Sequence, residues 1–98
     1  MATFADRLRE ARRLAILQLL AQAPDYEAGQ DLLYMALPDQ GLAASADQVA
    51  GELAWLAEQG LVSLAEIGRV RLARITARGL DVARGLAQVP GVARPRPG

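Results

Sequence analysis

The sequence of 98 residues suffices for one domain with a single hydrophobic core, and its 11 acidic residues balance 11 arginines to zero net charge. It contains neither cysteine nor histidine, which excludes disulfides, thiol chemistry and imidazole metal ligands. It shows no signal-peptide pattern and no apolar run long enough to span a bilayer, so we expect a cytoplasmic protein with no membrane partner.

The two signs of charge are separated along the chain. Residues 1–23 carry a net charge of +2 and residues 61–98 of +5, whereas residues 24–60 hold seven acids and no arginine. Such separation usually concerns a binding partner, because each block generates its own field. We therefore expect the acidic middle segment to disfavour contact with DNA.

The first predicted helix covers residues 4–22, FADRLREARRLAILQLLAQ, which are mostly good helix formers. Its apolar residues cover more than one face, so the helix lies either at the centre of the core or in a contact between two copies of the chain. Arg9, Arg12 and Arg13 are expected on its solvated side. Pro24-Asp25 ends the helix.

Two further helices are predicted before the hairpin. The shorter covers residues 30–37 and precedes the turn sequence PDQG. The longer covers residues 46–59, starts with the capping-box pattern Ser45-x-x-Gln48 and ends at Gly60. Helical spacing puts its larger apolar residues on one buried stripe. The opposite face holds Asp47, Gly51, Trp55 and Glu58, flanked by Gln48, Glu52 and Gln59.

The last third of the chain predicts a hairpin and a final helix. Strands 61–67 and 70–75 flank Gly68-Arg69, which suits a two-residue type II′ turn. Thr76 is the expected N-cap of a helix over residues 77–88, which Gly79 and Gly85 are expected to weaken. The Pro- and Arg-rich segment 90–98 is predicted to be a flexible tail, which leaves residues 1–89 as a single domain.

This element order is that of a winged helix-turn-helix, so the predicted fold class is mostly α (α+β) with three helices, a two-stranded wing and a C-terminal helix. Residues 45–79 resemble ArsR- and MarR-type winged helices. The matching positions are Leu53, Leu56, Gly60, Leu61, Val62, Thr76 and Gly79, with Ile75 in place of a leucine. The whole chain resembles small winged-helix proteins of Mu-like prophages in the segments WLAEQGLV, ITARGLDVARG and VPGVARPRP. The resemblance implies DNA binding, although winged helices also serve as protein-binding modules.

The candidate nucleic-acid-binding residues are the hairpin-region arginines Arg69, Arg71, Arg74 and Arg78, together with Gln48. At the wing tip an arginine can enter a minor groove while others contact phosphates. The alternative is that the strand arginines are solvated or pair with nearby acids. Insertion of the third helix into a major groove is disfavoured, because that element normally presents Arg, Lys, Asn or Gln to the bases and this one presents acids.

The candidate protein-interface residues are Gly51, Glu52, Trp55 and Glu58. Tryptophan is enriched at binding hot spots, and Gly51 one turn earlier leaves room beside it. The alternative is that Trp55 packs against another part of its own domain. The sequence leaves both interpretations open.

No enzyme activity is predicted, since the sequence has no nucleophile–base pair, no Gly-rich phosphate loop and no catalytic carboxylate pair. No catalytic residue, metal ligand or cofactor is expected. Two functions remain. The preferred one is a small phage-type regulator or accessory protein that binds double-stranded DNA mainly through the hairpin arginines, as a homodimer. The alternative is a protein-interaction module that uses the acidic Gly51/Trp55 face and does not bind DNA.

Overall fold

The computed structural model describes residues 1–96 and has the predicted winged-helix architecture. Its helices are α1 (Phe4–Gln22), α2 (Gln30–Ala36), α3 (Ala46–Glu58) and α4 (Ala77–Ala83). Its strands are β1 (Glu27–Gly29), β2 (Val62–Ile67) and β3 (Val70–Ile75), which form an antiparallel sheet in the order β1-β3-β2. Short 3-10 turns follow α1 and α2. The predicted fold class and the predicted starts of all four helices are confirmed.

The core forms around the second half of α1, which packs against α4 and β3. Fully buried side chains come from α1, α3 and the sheet: Ile16, Leu17, Leu20, Val49, Leu53, Leu56 and Ala73. The second half of α1 is therefore central to the core, which is one of the two positions predicted for this helix.

Helices α1 and α3 both begin with a capping box, in which the N-cap side chain and the side chain three residues later each accept from the other residue's backbone N–H. At α3, the Ser45 hydroxyl accepts from the Gln48 N–H at 3.0 Å, and the Gln48 side chain accepts from the Ser45 N–H at 2.9 Å. At α1, Thr3 and Asp6 form the equivalent pair, at 3.1 and 3.0 Å. The predicted capping box at α3 is confirmed, and it occupies the side chain of Gln48.

The sheet has one strand more than predicted. β1 pairs with β3 from Glu27↔Arg74 to Gly29↔Leu72, so the two-stranded sheet is corrected to a three-stranded one. With only three residues, β1 carries no alternation that a sequence pattern would reveal. Its pairing depends on contacts with a strand more than forty residues away in the chain.

The last helix is shorter than predicted. α4 ends at Ala83 instead of residue 88, because Gly85 has a φ of +79° and the chain leaves the helical path there. Thr76 caps α4 as predicted, by accepting from the Gly79 N–H at 3.0 Å. The glycine at position 79 has a packing reason: a side-chain carbon there would clash with the carbonyl oxygen of Leu61.

The segment predicted to be a flexible tail from residue 90 begins packed on the domain. Val92 is buried, the Ala93 N–H donates to the Glu10 carbonyl at 3.2 Å, and Arg13 Nη1 donates to the Gly91 carbonyl at 3.1 Å. We call residues 89–93 the C-terminal strap. The domain thus extends beyond residue 89, a correction that arises because α1 supplies hydrogen-bond partners to the strap. The last two residues of the predicted tail, 97 and 98, lie outside the described residues.

Candidate functional site

The hairpin forms a wing with an arginine at its tip. Ile67 pairs with Val70 across the two-residue turn Gly68-Arg69, and Gly68 has the positive φ of +63° that the first position of a type II′ turn requires. Arg69 is exposed and forms no ion pair within residues 1–96. The neighbours Ile67 and Val70 are exposed as well, so the tip is apolar apart from one positive charge.

The other predicted DNA-contacting arginines differ in how far they are engaged. Arg71 lies 3.3 Å from Glu66, its cross-strand neighbour. Arg78 Nη1 donates to the Gln59 carbonyl at 2.6 Å, at the end of α3. Arg74 is exposed and lies opposite Glu27 in the β1–β3 register. The four arginines thus do not form one free basic cluster.

Gln48 is the fifth predicted DNA contact and lies apart from the wing. Its side chain is held in the α3 capping box and borders a groove between α1 and α3. Because the amide oxygen already accepts from the Ser45 N–H, a bidentate contact with a base edge would break the cap. No exposed residue of α3 is basic.

The exposed face of α3 has small residues at its centre and an acid near each end. Asp47, Gly51, Ala54 and Glu58 are all exposed there, and neither acid forms an ion pair within residues 1–96. A helix with this face offers carboxylates to a DNA backbone that is itself negative. Asp47 and Glu58 therefore give α3 the negative surface, unfavourable for DNA binding, that the sequence predicts.

Glu52 was predicted on the same exposed surface, and this prediction is wrong. Its side chain is buried, with 7% of the residue exposed, and its carboxylate joins α3 to α1. Arg13 Nε donates to Glu52 Oε1 at 2.9 Å, while Arg12 Nη1 lies 3.6 Å from Oε2. A buried carboxylate held by two guanidinium groups is not available to a protein partner.

Trp55 is covered in part by its own chain. The guanidinium carbon of Arg13 lies 3.8 Å from the centre of the Trp55 ring, in a cation–π contact. Gly91 of the C-terminal strap also lies against the ring, so close that a β-carbon there would come within 2.8 Å of Trp55 Cζ2. Of the two interpretations that the sequence left open, the contacts favour packing within the domain.

The sequence analysis misjudged Arg12 and Arg13, which were expected on the solvated side of α1. Arg12 is buried and Arg13 half-buried. A signal was present, since Arg12 lies four residues after Leu8 and four before Ile16 and therefore shares their helix face. An arginine on that face needs a buried acceptor, which α3 supplies in Glu52.

Residues 1–96 contain neither a cluster of metal-ligating side chains nor a helix that could span a membrane. No three His, Cys, Asp or Glu side chains come together there as a metal site would require. In the same part of the chain, no helix is both long and apolar enough to cross a bilayer.

Comparison with known proteins identifies a relative across nearly the full length. No known protein-family model matches the chain. The uncharacterized protein gp26 of Escherichia phage Mu is 44% identical over 92 residues, which cover 94% of this chain and 95% of gp26. The chain belongs to the gp26 family. The resemblance to proteins of Mu-like prophages is confirmed at this level.

The fold of this gp26-family chain is similar to that of a transcriptional regulator of known structure. A PadR-family transcriptional regulator from Eggerthella lenta DSM 2243 superposes with a TM-score of 0.55 at 25% identity. The similarity covers 76% of this chain and 70% of the regulator. The similarity to the PadR-family regulator therefore supports the winged-helix fold independently of the similarity to gp26.

Proposed function

We propose that the chain is a small phage-type winged-helix DNA-binding protein, a regulator or an accessory protein, that contacts DNA mainly through its wing. The observation that carries this proposal is the exposed, unpaired Arg69 at the tip of the wing, within a fold shared with a transcriptional regulator. An arginine in that position can approach a phosphate or a minor groove without first losing an ion pair.

The contacts of α3 argue for binding with little sequence preference. Specific readout of bases needs donors such as arginine or a free amide on the helix that faces the major groove. The exposed face of α3 has Asp47 and Glu58 instead, and Gln48 is engaged in its cap. Backbone contacts from the wing then supply most of the affinity, and such affinity falls with salt.

The test is fluorescence anisotropy with short labelled duplexes of several sequences at low salt. Arg69→Ala should weaken binding about equally for every duplex and reduce the salt slope by about one unit, as expected for the loss of one phosphate contact. Arg84→Ala, which removes an exposed arginine after α4, is the matched control and should bind normally. Absence of binding by the native chain at low salt would refute the DNA proposal.

A protein partner is the second candidate, and exposed apolar side chains on α2 favour it. Leu32 and Met35 are each more than half exposed on one side of this short helix. They differ from the predicted Gly51/Trp55 interface, whose tryptophan is partly covered and whose Glu52 is buried. Leu32→Asp with Met35→Asp should abolish co-purification of a partner from phage-producing cells, whereas Arg69→Ala should leave it intact.

The predicted homodimer stays part of the proposal. Because the chain's own core covers most of the apolar surface of α1, the contact would use two exposed apolar residues, Phe4 at the start of α1 and Leu86 in the segment after α4. Sedimentation equilibrium should give a dimer that Phe4→Ser with Leu86→Ser converts to a monomer. A native chain that sediments as a monomer at micromolar concentration would contradict this.

A further inference from the structure

A groove of about 370 Å³ separates the first halves of α1 and α3. It has an apolar wall and a charged wall. Besides Gln48, its lining residues are Ala5, Leu8, Arg9, Arg12, Gly51 and Glu52. Pockets for small molecules have this composition and this order of volume, with a few convergent polar groups beside apolar surface.

On the charged wall, the Arg12 side chain makes no hydrogen bond within residues 1–96. Only 9% of Arg12 is exposed, and its buried Nε has no acceptor within residues 1–96. Its Nη1 lies 3.6 Å from Glu52, which is too far for a hydrogen bond. A buried donor left in this way costs about 1–3 kcal/mol, so an arginine of this kind calls for an explanation.

The charges around the groove leave a positive surplus. Glu52 is the one carboxylate shared by two buried guanidinium groups, and its close partner is Arg13 at 2.9 Å. Arg13 is further held by the Gly91 carbonyl and by the Trp55 ring. Arg9, at the rim, is balanced by Asp6 at 3.2 Å. Two guanidinium groups therefore share one carboxylate, so the cluster has one positive charge in excess, and Arg12 is the more distant partner of Glu52.

We infer that the groove binds a small organic anion whose carboxylate or phosphate group pairs with Arg12. A guanidinium group matches both head groups with two parallel hydrogen bonds. The apolar body of the ligand would lie over Ala5 and Leu8, where Gly51 leaves space: a β-carbon built at Gly51 meets nothing within 4 Å. The depth and burial of Arg12 fit a small molecule better than a DNA phosphate, which binds at exposed side chains. The inference does not depend on the proposed function.

The experiment is an NMR titration of the isotope-labelled full chain with hexanoate and, separately, with inorganic phosphate. Either anion should give saturable shifts of the Gly51 and Glu52 amide signals and of the Arg12 Nε–Hε signal. A response to hexanoate alone identifies a carboxylate with an apolar body, and a response to phosphate alone identifies the oxyanion head group. Hexanamide and equal ionic strength of sodium chloride are the controls and should give no saturable change at these positions.

Two variants separate binding from folding. Arg12→Met removes the guanidinium group but keeps an unbranched apolar stem, and Gly51→Leu fills the groove without altering charge. Both should weaken anion binding at least tenfold, while the control Arg84→Met should bind normally. If Arg12→Met does not fold, Gly51→Leu still decides, because position 51 has open space for a side chain.

Three results would overturn the inference. The first is no saturable shift with either anion. The second is an equal response in the native chain and in Gly51→Leu. The third is a response of the groove signals to duplex DNA only, which would make Arg12 a DNA contact. Because these readouts report the groove and not the wing, failure here is distinguishable from failure of the DNA proposal.

Discussion

Arg13 stacks on Trp55 with its guanidinium carbon 3.8 Å from the ring centre, while its Nε donates to Glu52 at 2.9 Å. One arginine thus joins three parts of the chain, because its Nη1 also donates to the Gly91 carbonyl of the C-terminal strap. Helix α1, helix α3 and the strap are held at a single point. A residue that the sequence suggested as a binding anchor, Trp55, is part of this internal junction.

Gly91→Ala should open the junction. Gly91 has a φ of +97°, and an added β-carbon would come within 2.8 Å of the Trp55 ring, so the strap must move. We expect a loss of about 1–3 kcal/mol in the free energy of unfolding, with a red shift and stronger acrylamide quenching of Trp55 fluorescence.

Gly41→Ala is the matched control for that change. Gly41 also has a positive φ, +72°, but nothing lies within 4 Å of an added β-carbon. Gly41→Ala therefore introduces the backbone strain without a contact with Trp55, and the Trp55 fluorescence of this variant should equal that of the native chain. Equal fluorescence changes in the two variants would show that the strap does not cover the tryptophan.

Glu52→Gln should destabilise the domain far more than Glu58→Gln. Neutralising Glu52 leaves Arg12 and Arg13 buried beside each other without a counter-charge, and breaking a buried ion pair in this way costs about 3–5 kcal/mol. Glu58 undergoes the same chemical change on the exposed end of α3, where the cost should stay within about 0.5 kcal/mol. Urea unfolding followed by circular dichroism measures both, and similar midpoints would contradict the buried triad.

Local sequence patterns predicted the elements whose stability is local. The capping box at Ser45, the turn at Gly68-Arg69 and the cap at Thr76 each depend on residues within a few positions, and all three are present. By contrast, β1 exists through its register with β3, and the C-terminal strap is held by α1. Interactions between distant segments leave no periodicity in either partner, so β1 and the C-terminal strap could not be predicted from local patterns.

The candidate site was harder to predict than the fold, for an electrostatic reason. Counting charges along the chain treats every acid of α3 as exposed, but Glu52 meets two arginines from another helix. The sign of a surface depends on which charges are paired across helices. The spacing of Leu8, Arg12 and Ile16, which puts all three on one face of α1, was the one local indication that a charged residue of this helix contacts α3.

Asp6 makes the N-terminus of α1 sensitive to acid. The Thr3 backbone N–H donates to its carboxylate, and this bond first, then the Thr3 side chain and Arg9, lower the pKa of Asp6 below its ordinary 3.8. A carboxyl with a lowered folded-state pKa stabilises the fold while ionised, so its contribution is present above pH 3.8 and is lost as the pH falls through the folded-state value.

An NMR titration of the Asp6 side-chain carboxyl should therefore give a midpoint below 3.8. Thr3→Val, which removes the hydroxyl and keeps the backbone donor, should raise that midpoint in part. Asp6→Asn should remove the corresponding acid-dependent loss of stability. A midpoint at or above 3.8 in the native chain would exclude the capping box as a source of this pH dependence.

Neutralising the acidic face of α3 should strengthen DNA binding if the wing brings this helix towards the duplex. Asp47 and Glu58 are exposed and unpaired within residues 1–96, so each opposes a nearby phosphate. Exposed charge interactions contribute about 0.2–1 kcal/mol each, so Asp47→Asn with Glu58→Gln should raise affinity by roughly two- to thirtyfold at low salt. The gain should shrink as salt screens the charges.

The control for this experiment is Asp25→Asn with Asp81→Asn, which changes the net charge by the same amount on the loop after α1 and on α4. Because screened charges act over about 10 Å, acids far from the contact should change the affinity little. Anisotropy with the same duplexes compares the two double variants. An equal gain in both would mean that only the total charge matters, whereas a gain confined to the α3 variant would mean that α3 faces the DNA and that its acids limit the affinity of the wing.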